Sequence, residues 1–148
     1  MRAVIQRVKS ASLSVDGTLI SEIGKGYAVY LGVGQGDNEQ DEDYIAKKVA
    51  LLRVFEDENG KMNKSLTDVS GEILLISQFT LFGNCSHGNR PSFVEAEKPE
   101  IANKRYLSVK NKLESYGIKV KTGVFGADMQ IVQHNDGPVT ILIDSKRN

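Results

Sequence analysis

The chain has 148 residues, of which 40% are hydrophobic and 26% are charged, and 19 basic and 19 acidic side chains give a net charge of zero. This composition excludes a disordered, collagenous or disulfide-stapled protein, and the length favours a single domain over residues 1–148. Because the net charge is zero, composition alone gives no indication of nucleic-acid binding.

The sequence carries no recognisable membrane span or secretion signal. The longest apolar run, residues 27–31, is far short of the roughly 18 residues that a spanning helix needs. Arg2 and Arg7 bring charge too early for the apolar part of a signal peptide. A single cysteine, Cys85, suits a reducing compartment. We therefore expect a cytoplasmic protein that has no membrane partner.

The first half of the chain predicts strands followed by a helix. A strand over residues 3–8 precedes a hairpin, whose Asp-Gly pair at 16–17 readily takes the positive φ values of a type I′ turn. Residues 27–33 are apolar with little alternation, which is typical of a strand buried on both faces. A helix should follow, capped by Asp37 or Asn38 and beginning with acidic side chains that suit its dipole.

The second half predicts a strand, a long helix and further strands. Residues 72–79 form an apolar strand that leads into a loop over 83–92. Apolar residues then recur at helical spacing from Pro99 until Gly117, a natural helix stop. Three short strands complete the prediction, over residues 118–121, 129–134 and 139–144. We expect the two helices to pack on one face of a sheet.

Several potential motifs favour structural interpretations. Cys85 and His87 lie two residues apart on a loop, and we interpret them as an incidental thiol and imidazole. The glycines of residues 32–36 resemble a phosphate loop, but the carboxylates that follow would repel a phosphate. The acidic run at 37–43 lacks the spacing of a calcium loop, so we interpret it as the solvated start of a helix. The spacing of His and Cys predicts no metal site.

Two segments suggest more than structure. Residues 77–81 read Ser-Gln-Phe-Thr-Leu and place three hydrogen-bonding side chains directly after the apolar residues 73–76, where they could bind a ligand or cap the backbone. Residues 135–140 read Asn-Asp-Gly-Pro-Val-Thr, which is typical of a hairpin turn. Their Gly-Pro bond could also be cis, and a cis bond would place two carbonyls side by side where they could accept from one ammonium group.

Together these two segments resemble the D-aminoacyl-tRNA deacylases, often called D-tyrosyl-tRNA deacylases. Further segments that resemble the family occur in the family's order and extend the similarity over essentially the whole chain: 1–8, 31–33, 52–57, 88–93 and 123–127. The resemblance implies an α/β protein of α+β character, a three-layer β/β/α sandwich with mostly antiparallel, barrel-like sheets and two main helices. It also implies a homodimer whose active site lies at the subunit interface.

The resemblance implies hydrolysis of the ester bond between a D-amino acid and the acceptor end of tRNA, without a cofactor. The resemblance also implies activity on glycyl-tRNA mischarged on tRNA-Ala, because glycine has no side chain that a site selecting against L-amino acids could exclude. The family's catalytic residues correspond to Ser77, Gln78, Phe79 and Thr80. The cis Gly-Pro pair corresponds to Gly137 and Pro138, whose carbonyls would hold the substrate ammonium in the partner's pocket so that an L side chain strikes rigid backbone. Three residues would support the site: Arg7, Asn135 and Thr140.

Two mechanisms are consistent with this assignment. Either the Thr80 hydroxyl attacks the ester, or backbone N–H groups near Phe79 and Thr80 stabilise the oxyanion while the adenosine 2′-hydroxyl activates water. We favour the second, because Thr80 has no His or Lys beside it in the motif. A tRNA-binding module without catalysis remains the alternative from another class. Five basic residues near the second helix could contact tRNA phosphates or form the solvated face of that helix: Lys98, Lys104, Arg105, Lys110 and Lys112.

Overall fold

Eight strands, two long helices and one short 3₁₀ helix make up the computed structural model, which describes residues 1–147. The strands are β1 (Arg2–Val15), β2 (Thr18–Ile23), β3 (Gly26–Gly32), β4 (Phe55–Glu56), β5 (Met62–Lys64), β6 (Glu72–Ser77), β7 (Lys119–Thr122) and β8 (Gln130–Asp144). The helices are α1 (Glu39–Leu51) and α2 (Pro99–Ser115), and the 3₁₀ helix covers Phe79–Phe82. Across residues 1–147 the chain forms no helix with the length and apolar character that a membrane crossing demands.

The long strand β1 is the centre of the fold. One of its edges pairs antiparallel with β3 along residues 2–8 and with β2 along residues 11–15, while the other edge pairs with β8 over almost its whole length. The predicted hairpin is confirmed, since Asp16 and Gly17 both have positive φ between β1 and β2. The strand predicted over residues 3–8 and the first strand of the hairpin are one continuous strand, β1.

Parallel strands lie beside β1 and carry the helices. β3 pairs parallel with β6, and β6 pairs parallel with β7, so that α1 and α2 are the crossover connections of a sheet with the order β2-β1-β3-β6-β7. Both helices pack against the same face, where Ile45, Val49 and Leu113 lie fully buried. The opposite face buries a second apolar cluster that includes Val8, Leu13 and Ile76. The mixed α/β fold with two helices and a barrel-like sheet is confirmed.

The last strand corrects the sequence prediction. Residues 129–134 and 139–144 were expected to be separate strands joined by a turn, but β8 runs without interruption from Gln130 to Asp144. Residues 136–139 form a bulge within it, because Asn135 pairs with Val8 while Thr140 pairs with Gln6. None of the fifteen residues of β8 is fully buried, and among the described residues it pairs only with β1.

The acidic start of α1 also differs from expectation, because three of its carboxylates are buried rather than solvated. Asp37 accepts from the Met1 ammonium at 2.8 Å, and Asp41 contacts the Lys146 ammonium at 2.8 Å. Burial alone would raise the pKa of Asp41. Hydrogen bonds from Lys146 and Ser145 outweigh burial, and the pKa is lowered to about 2. The helix start therefore joins the two ends of the described chain.

Candidate functional site

A cleft of about 610 Å³ opens where the parallel strands β3 and β6 end. The carboxyl ends of parallel strands meet at one edge of a sheet, which is where ligands bind in many α/β proteins. The cleft is lined by polar and charged residues together with a larger apolar surface: Ser77, Gln78, Glu97 and Lys98, and Val33, Ile76, Phe79, Phe93, Ala96, Pro99, Ala102, Phe125, Gly126, Ala127, Met129 and Ile131. Three of the four predicted catalytic residues therefore lie in one cleft.

The exit of β6 leaves two backbone donors free beside this cleft. Strand β6 ends at Ser77, and the Gln78 N–H donates to the Leu31 carbonyl at 2.8 Å. The chain then turns into the 3₁₀ helix, whose first N–H groups lack partners within the helix. Within residues 1–147, neither the Phe79 nor the Thr80 N–H donates a hydrogen bond to another group of the protein. Such donors can bind an oxyanion.

Thr80 differs from the other three predicted catalytic residues in its position relative to the cleft. It is exposed, and it is not among the residues that line the cleft. Its Oγ1 accepts a hydrogen bond from Gln78 Nε2 at 2.5 Å. An amide N–H is a donor and cannot remove a proton, so this contact does not activate the hydroxyl as a nucleophile.

Aromatic rings form one side of the cleft. Phe79 remains 55% exposed and meets Phe93 edge to face, with the ring centroids 5.1 Å apart. An exposed ring in a cleft offers an apolar surface on which a planar ligand can stack. Phe93 belongs to one of the segments that resemble the family, but no periodicity in the sequence indicates that it would meet Phe79.

Two glycines of the segment 32–36 are needed for close packing between the end of β3 and the 3₁₀ helix. A Cβ on Gly34 would lie 2.6 Å from the Phe82 ring, and a Cβ on Gly32 would lie 2.9 Å from the Gln78 carbonyl oxygen. Only glycine therefore allows the 3₁₀ helix to approach the end of β3 this closely. The segment is a close-packed strand end, in agreement with its interpretation from the sequence, and it fixes the position of the polar residues after β6.

The Gly-Pro pair lies at the bulge of β8, opposite Arg7 of β1. The Gly137–Pro138 peptide bond is cis, and both residues lie in the bulged part of the strand. The Arg7 guanidinium is buried, with the residue 7% exposed, and Nε donates to the Asp136 carbonyl at 3.1 Å. The same nitrogen lies 3.4 Å from Asp136 Oδ2. Arg7 thus bonds the backbone directly before the Gly-Pro pair.

The structure does not bring the two motifs of one chain together. Gly137 and Pro138 are absent from the lining of the cleft formed by the same subunit. Asn135 and Thr140 flank the bulge, and their side-chain oxygens accept from Gln133 and Gln6 respectively. Neither Gln133 nor Gln6 was singled out from the sequence, because an amide on an alternating strand is usually a solvated residue.

Most of the candidate phosphate-binding side chains already have acidic partners. Arg105 pairs with the buried Glu42 at 2.7 Å, and Lys112 pairs with Asp43 at 2.6 Å. Lys104 and Lys110 pair with glutamates on their own helix. Lys98 is the one of the five that lines the cleft. Because Lys98 lies in the cleft, it is better placed than the other four basic residues to contact an anionic ligand there.

Other candidate groups lie outside the cleft lining. Cys85 and His87 are exposed on the loop that precedes Phe93. No cluster of three or more His, Cys, Asp or Glu side chains within residues 1–147 has an arrangement that could hold a metal ion.

Glu97 supplies a carboxylate to the cleft lining, and its Oε1 accepts from the Lys98 N–H at 2.8 Å.

Comparisons with known proteins cover the whole chain. The family model described as D-Tyr-tRNA(Tyr) deacylase matches residues 4–144. Proteins named D-aminoacyl-tRNA deacylase from Thermosipho africanus and Clostridium novyi are 54% and 56% identical over 147 residues, covering 99% of each chain. A solved structure named c-Myc DNA Unwinding Element Binding Protein matches with a TM-score of 0.91 and 43% identity over 99% of this chain and 100% of that one. A second, described as a "probable eukaryotic D-amino acid tRNA deacylase", shares the fold with a TM-score of 0.80 at 15% identity, over 96% of this chain and 97% of that one.

Proposed function

Because the chain belongs to the D-aminoacyl-tRNA deacylase family, we propose that it hydrolyses the ester bond of D-aminoacyl-tRNA in the cleft at the ends of β3 and β6. The products are free tRNA and a D-amino acid, and the enzyme acts in the cytoplasm without a cofactor. Glycyl-tRNA mischarged on tRNA-Ala is a second substrate under this proposal. The observation that carries the assignment is the identity of more than half of the residues to relatives of that name along the full chain.

The free N–H groups of Phe79 and Thr80 support a backbone oxyanion hole. An aminoacyl ester is already activated, so that stabilising its tetrahedral intermediate and positioning water can suffice. The adenosine 2′-hydroxyl adjoins the ester and is the group that activates the water in this mechanism. Thr80 supports this view, since its hydroxyl accepts from Gln78 and no base contacts it among residues 1–147. Gln78 and Phe79 bind the terminal adenosine, while Ser77 shapes the floor of the cleft.

We assign stereochemical selection to Gly137 and Pro138 of a second subunit. These residues lie outside the cleft of their own chain, on a strand with a free outer edge. A homodimer joined along β8 would present the bulge of each subunit to the cleft of the other. Exposed apolar side chains on that strand support this arrangement, with Val132 72% exposed and Leu142 76% exposed. Carbonyls of the bulge would bind the substrate ammonium, and an L side chain would then strike the backbone.

The test compares hydrolysis of D-tyrosyl-tRNA and L-tyrosyl-tRNA by the purified protein in the presence of a metal chelator, against a blank without enzyme. We expect rapid loss of the D ester alone. Binding of both esters without hydrolysis of either would contradict the proposal and favour a non-catalytic tRNA-binding module.

Gly137→Ala tests the selecting segment. Gly137 has a φ of +134°, and a Cβ there would lie 2.7 Å from the Val139 nitrogen, so the bulge must shift. We expect the ratio of D to L hydrolysis to fall roughly tenfold or more, as a shift costing about 1.4 kcal/mol in relative binding would cause. Gly60→Ala is the control, because Gly60 also has positive φ but has open space around it in a distant turn. An unchanged ratio in Gly137→Ala would exclude this role.

A further inference from the structure

We propose that Gln133 and Tyr30 are positioning residues for the Gly137–Pro138 bulge, acting through a chain of side-chain hydrogen bonds across β3, β8 and β1. This inference rests on the proposed function of the bulge in selecting the substrate. Neither residue belongs to the catalytic or selecting segments identified from the sequence. We call the hydrogen-bonded set Tyr30, Gln133, Gln6, Asn135 and Thr140 the amide relay.

Each hydrogen bond of the amide relay joins one donor to one acceptor. The Tyr30 hydroxyl donates to Gln133 Oε1 at 2.8 Å. Gln133 Nε2 then donates to both Gln6 Oε1 at 2.6 Å and Asn135 Oδ1 at 2.7 Å. Gln133 therefore stands at the branch point, and a primary amide is required there because one end accepts while the other end donates twice.

The two branches end on opposite sides of the bulge. Asn135 is the last residue paired with β1 before the bulge, and it accepts from Gln133. Thr140 is the first residue paired after it, and its Oγ1 lies 3.4 Å from the donating Gln6 Nε2. The relay thus joins both ends of the bulged segment, residues 136–139, to a common side chain.

Arg7 holds the same bulge from the other face of the sheet. Successive side chains of a strand point to opposite faces, so Gln6 and Arg7 reach the bulge from different sides. Arg7 is anchored in the interior by a hydrogen bond from Nη1 to the Val54 carbonyl, and its Nε donates to the Asp136 carbonyl. The buried guanidinium fixes one face of the bulge, and the amide relay fixes the other.

Tyr30 links this arrangement to the interior of the protein. Its ring packs against the apolar cluster that contains Ile76, a residue of the cleft lining. Burial raises the pKa of the Tyr30 hydroxyl above its ordinary value, so the group is a hydrogen-bond donor to Gln133 and not an anion. Hydrogen bonds to side chains on β1 and β3 restrict the bulge more than contacts with solvent would. Discrimination between D and L substrates by shape depends on such restriction.

The experiment uses Gln133→Glu and Tyr30→Phe in the full-length protein. The first substitution keeps the shape of the side chain but places a carboxylate oxygen against two oxygen acceptors. Tyr30→Phe removes only the donor at the start of the relay. Tyr116→Phe is the matched control, since Tyr116 is exposed at the end of α2 and forms no side-chain hydrogen bond within the described chain. Melting temperatures establish that all variants are folded.

Two readouts decide the proposal: hydrogen–deuterium exchange of the peptide covering residues 134–141, and the ratio of D-tyrosyl-tRNA to L-tyrosyl-tRNA hydrolysis. In Gln133→Glu we expect faster exchange and a ratio of D-ester to L-ester hydrolysis that is reduced roughly fivefold, because about 1 kcal/mol of hydrogen bonding is lost. Tyr30→Phe should change both readouts less. Tyr116→Phe should change neither. An unchanged exchange rate, or an equal fall in both hydrolysis rates with the ratio preserved, would overturn the positioning role. If the unmodified protein shows no preference for the D ester, the proposed function fails, and the exchange data still decide whether the relay restrains the bulge.

Discussion

At the scale of single residues, the hydroxyl of Thr80 separates the two possible mechanisms. Its only hydrogen-bond partner within residues 1–147 is the Gln78 amide, which donates to it, and the residue lies outside the cleft lining. A nucleophilic hydroxyl needs a group that accepts its proton. The local geometry therefore favours a role for this segment through its backbone.

Thr80→Val tests that interpretation, because valine removes the hydroxyl and keeps the branched shape. We expect kcat of this variant on D-tyrosyl-tRNA to fall less than about tenfold. By contrast, the unmodified protein should hydrolyse a substrate ending in 2′-deoxyadenosine at least about 100-fold more slowly, because that substrate lacks the hydroxyl that activates water. Single-turnover rates measure both effects, and Thr18→Val on the distant strand β2 is the control. Loss of activity in Thr80→Val, together with an acyl-enzyme trapped on the unmodified protein, would show that Thr80 is the nucleophile.

At the scale of elements, the sequence predicted those parts whose signals are local. The Asp-Gly turn, the helix capped by Asn38 and the stop at Gly117 depend on neighbouring residues, and the structure agrees. The continuity of β8 could not be predicted, because a Gly-Pro pair normally ends a strand. Here both sides of the bulge remain paired with the same strand, β1, which only tertiary structure determines.

The candidate site divides in the same way. Residues 77–80 could be predicted as a group because they form one contiguous segment, and three of them line the cleft. The apolar wall formed by Phe93, Phe125 and Met129 could not, since separate segments of the chain supply it. The burial of three acidic side chains at the start of α1 was missed for a similar reason. The partners of Asp37 and Asp41 lie near the two ends of the described chain, and the partner of Glu42 lies on α2.

That helix start makes stability depend on pH. The pKa of Asp41 is lowered in the folded protein from 3.8 to about 2, so its contribution is present above pH 3.8 and is lost as pH falls toward 2. We expect Asp41→Asn to lower the free energy of unfolding at pH 7 by about 2 kcal/mol, and the difference should vanish near pH 2. Urea unfolding across this range measures it. Asp43→Asn, an exposed neighbour, should change stability little, and a constant difference at every pH would contradict the argument.

At the scale of the whole molecule, the free edge of β8 bears on the oligomeric state. A fifteen-residue edge strand with exposed apolar side chains is a surface that proteins normally pair or protect. Isoleucines 141 and 143 flank Leu142 in a groove beside α1. A second copy of the chain along this strand would cover the groove and deliver each bulge to the opposite cleft.

Leu142→Lys tests this assembly by placing a charge in the proposed interface. We expect the unmodified protein to sediment as a dimer and the variant to sediment as a monomer at the same concentration. The variant's rate of D-ester hydrolysis should fall in parallel. Leu107→Lys changes an exposed leucine of α2 and should leave both properties intact. Full activity in a monomeric Leu142→Lys protein would show that each cleft is complete without a partner.

The pairing of β1 with β8 also determines when this protein can fold. Arg2 pairs with Asp144, so the central strand lacks one neighbour until nearly the whole chain is available. Contacts between residues so distant in sequence close large loops and slow the search for the native state. During synthesis, β1, β2 and β3 can associate early, whereas the sheet is complete only after the ribosome has released the last strand. The bulge that we assign to substrate selection can therefore form only after residues 130–144 have left the ribosome.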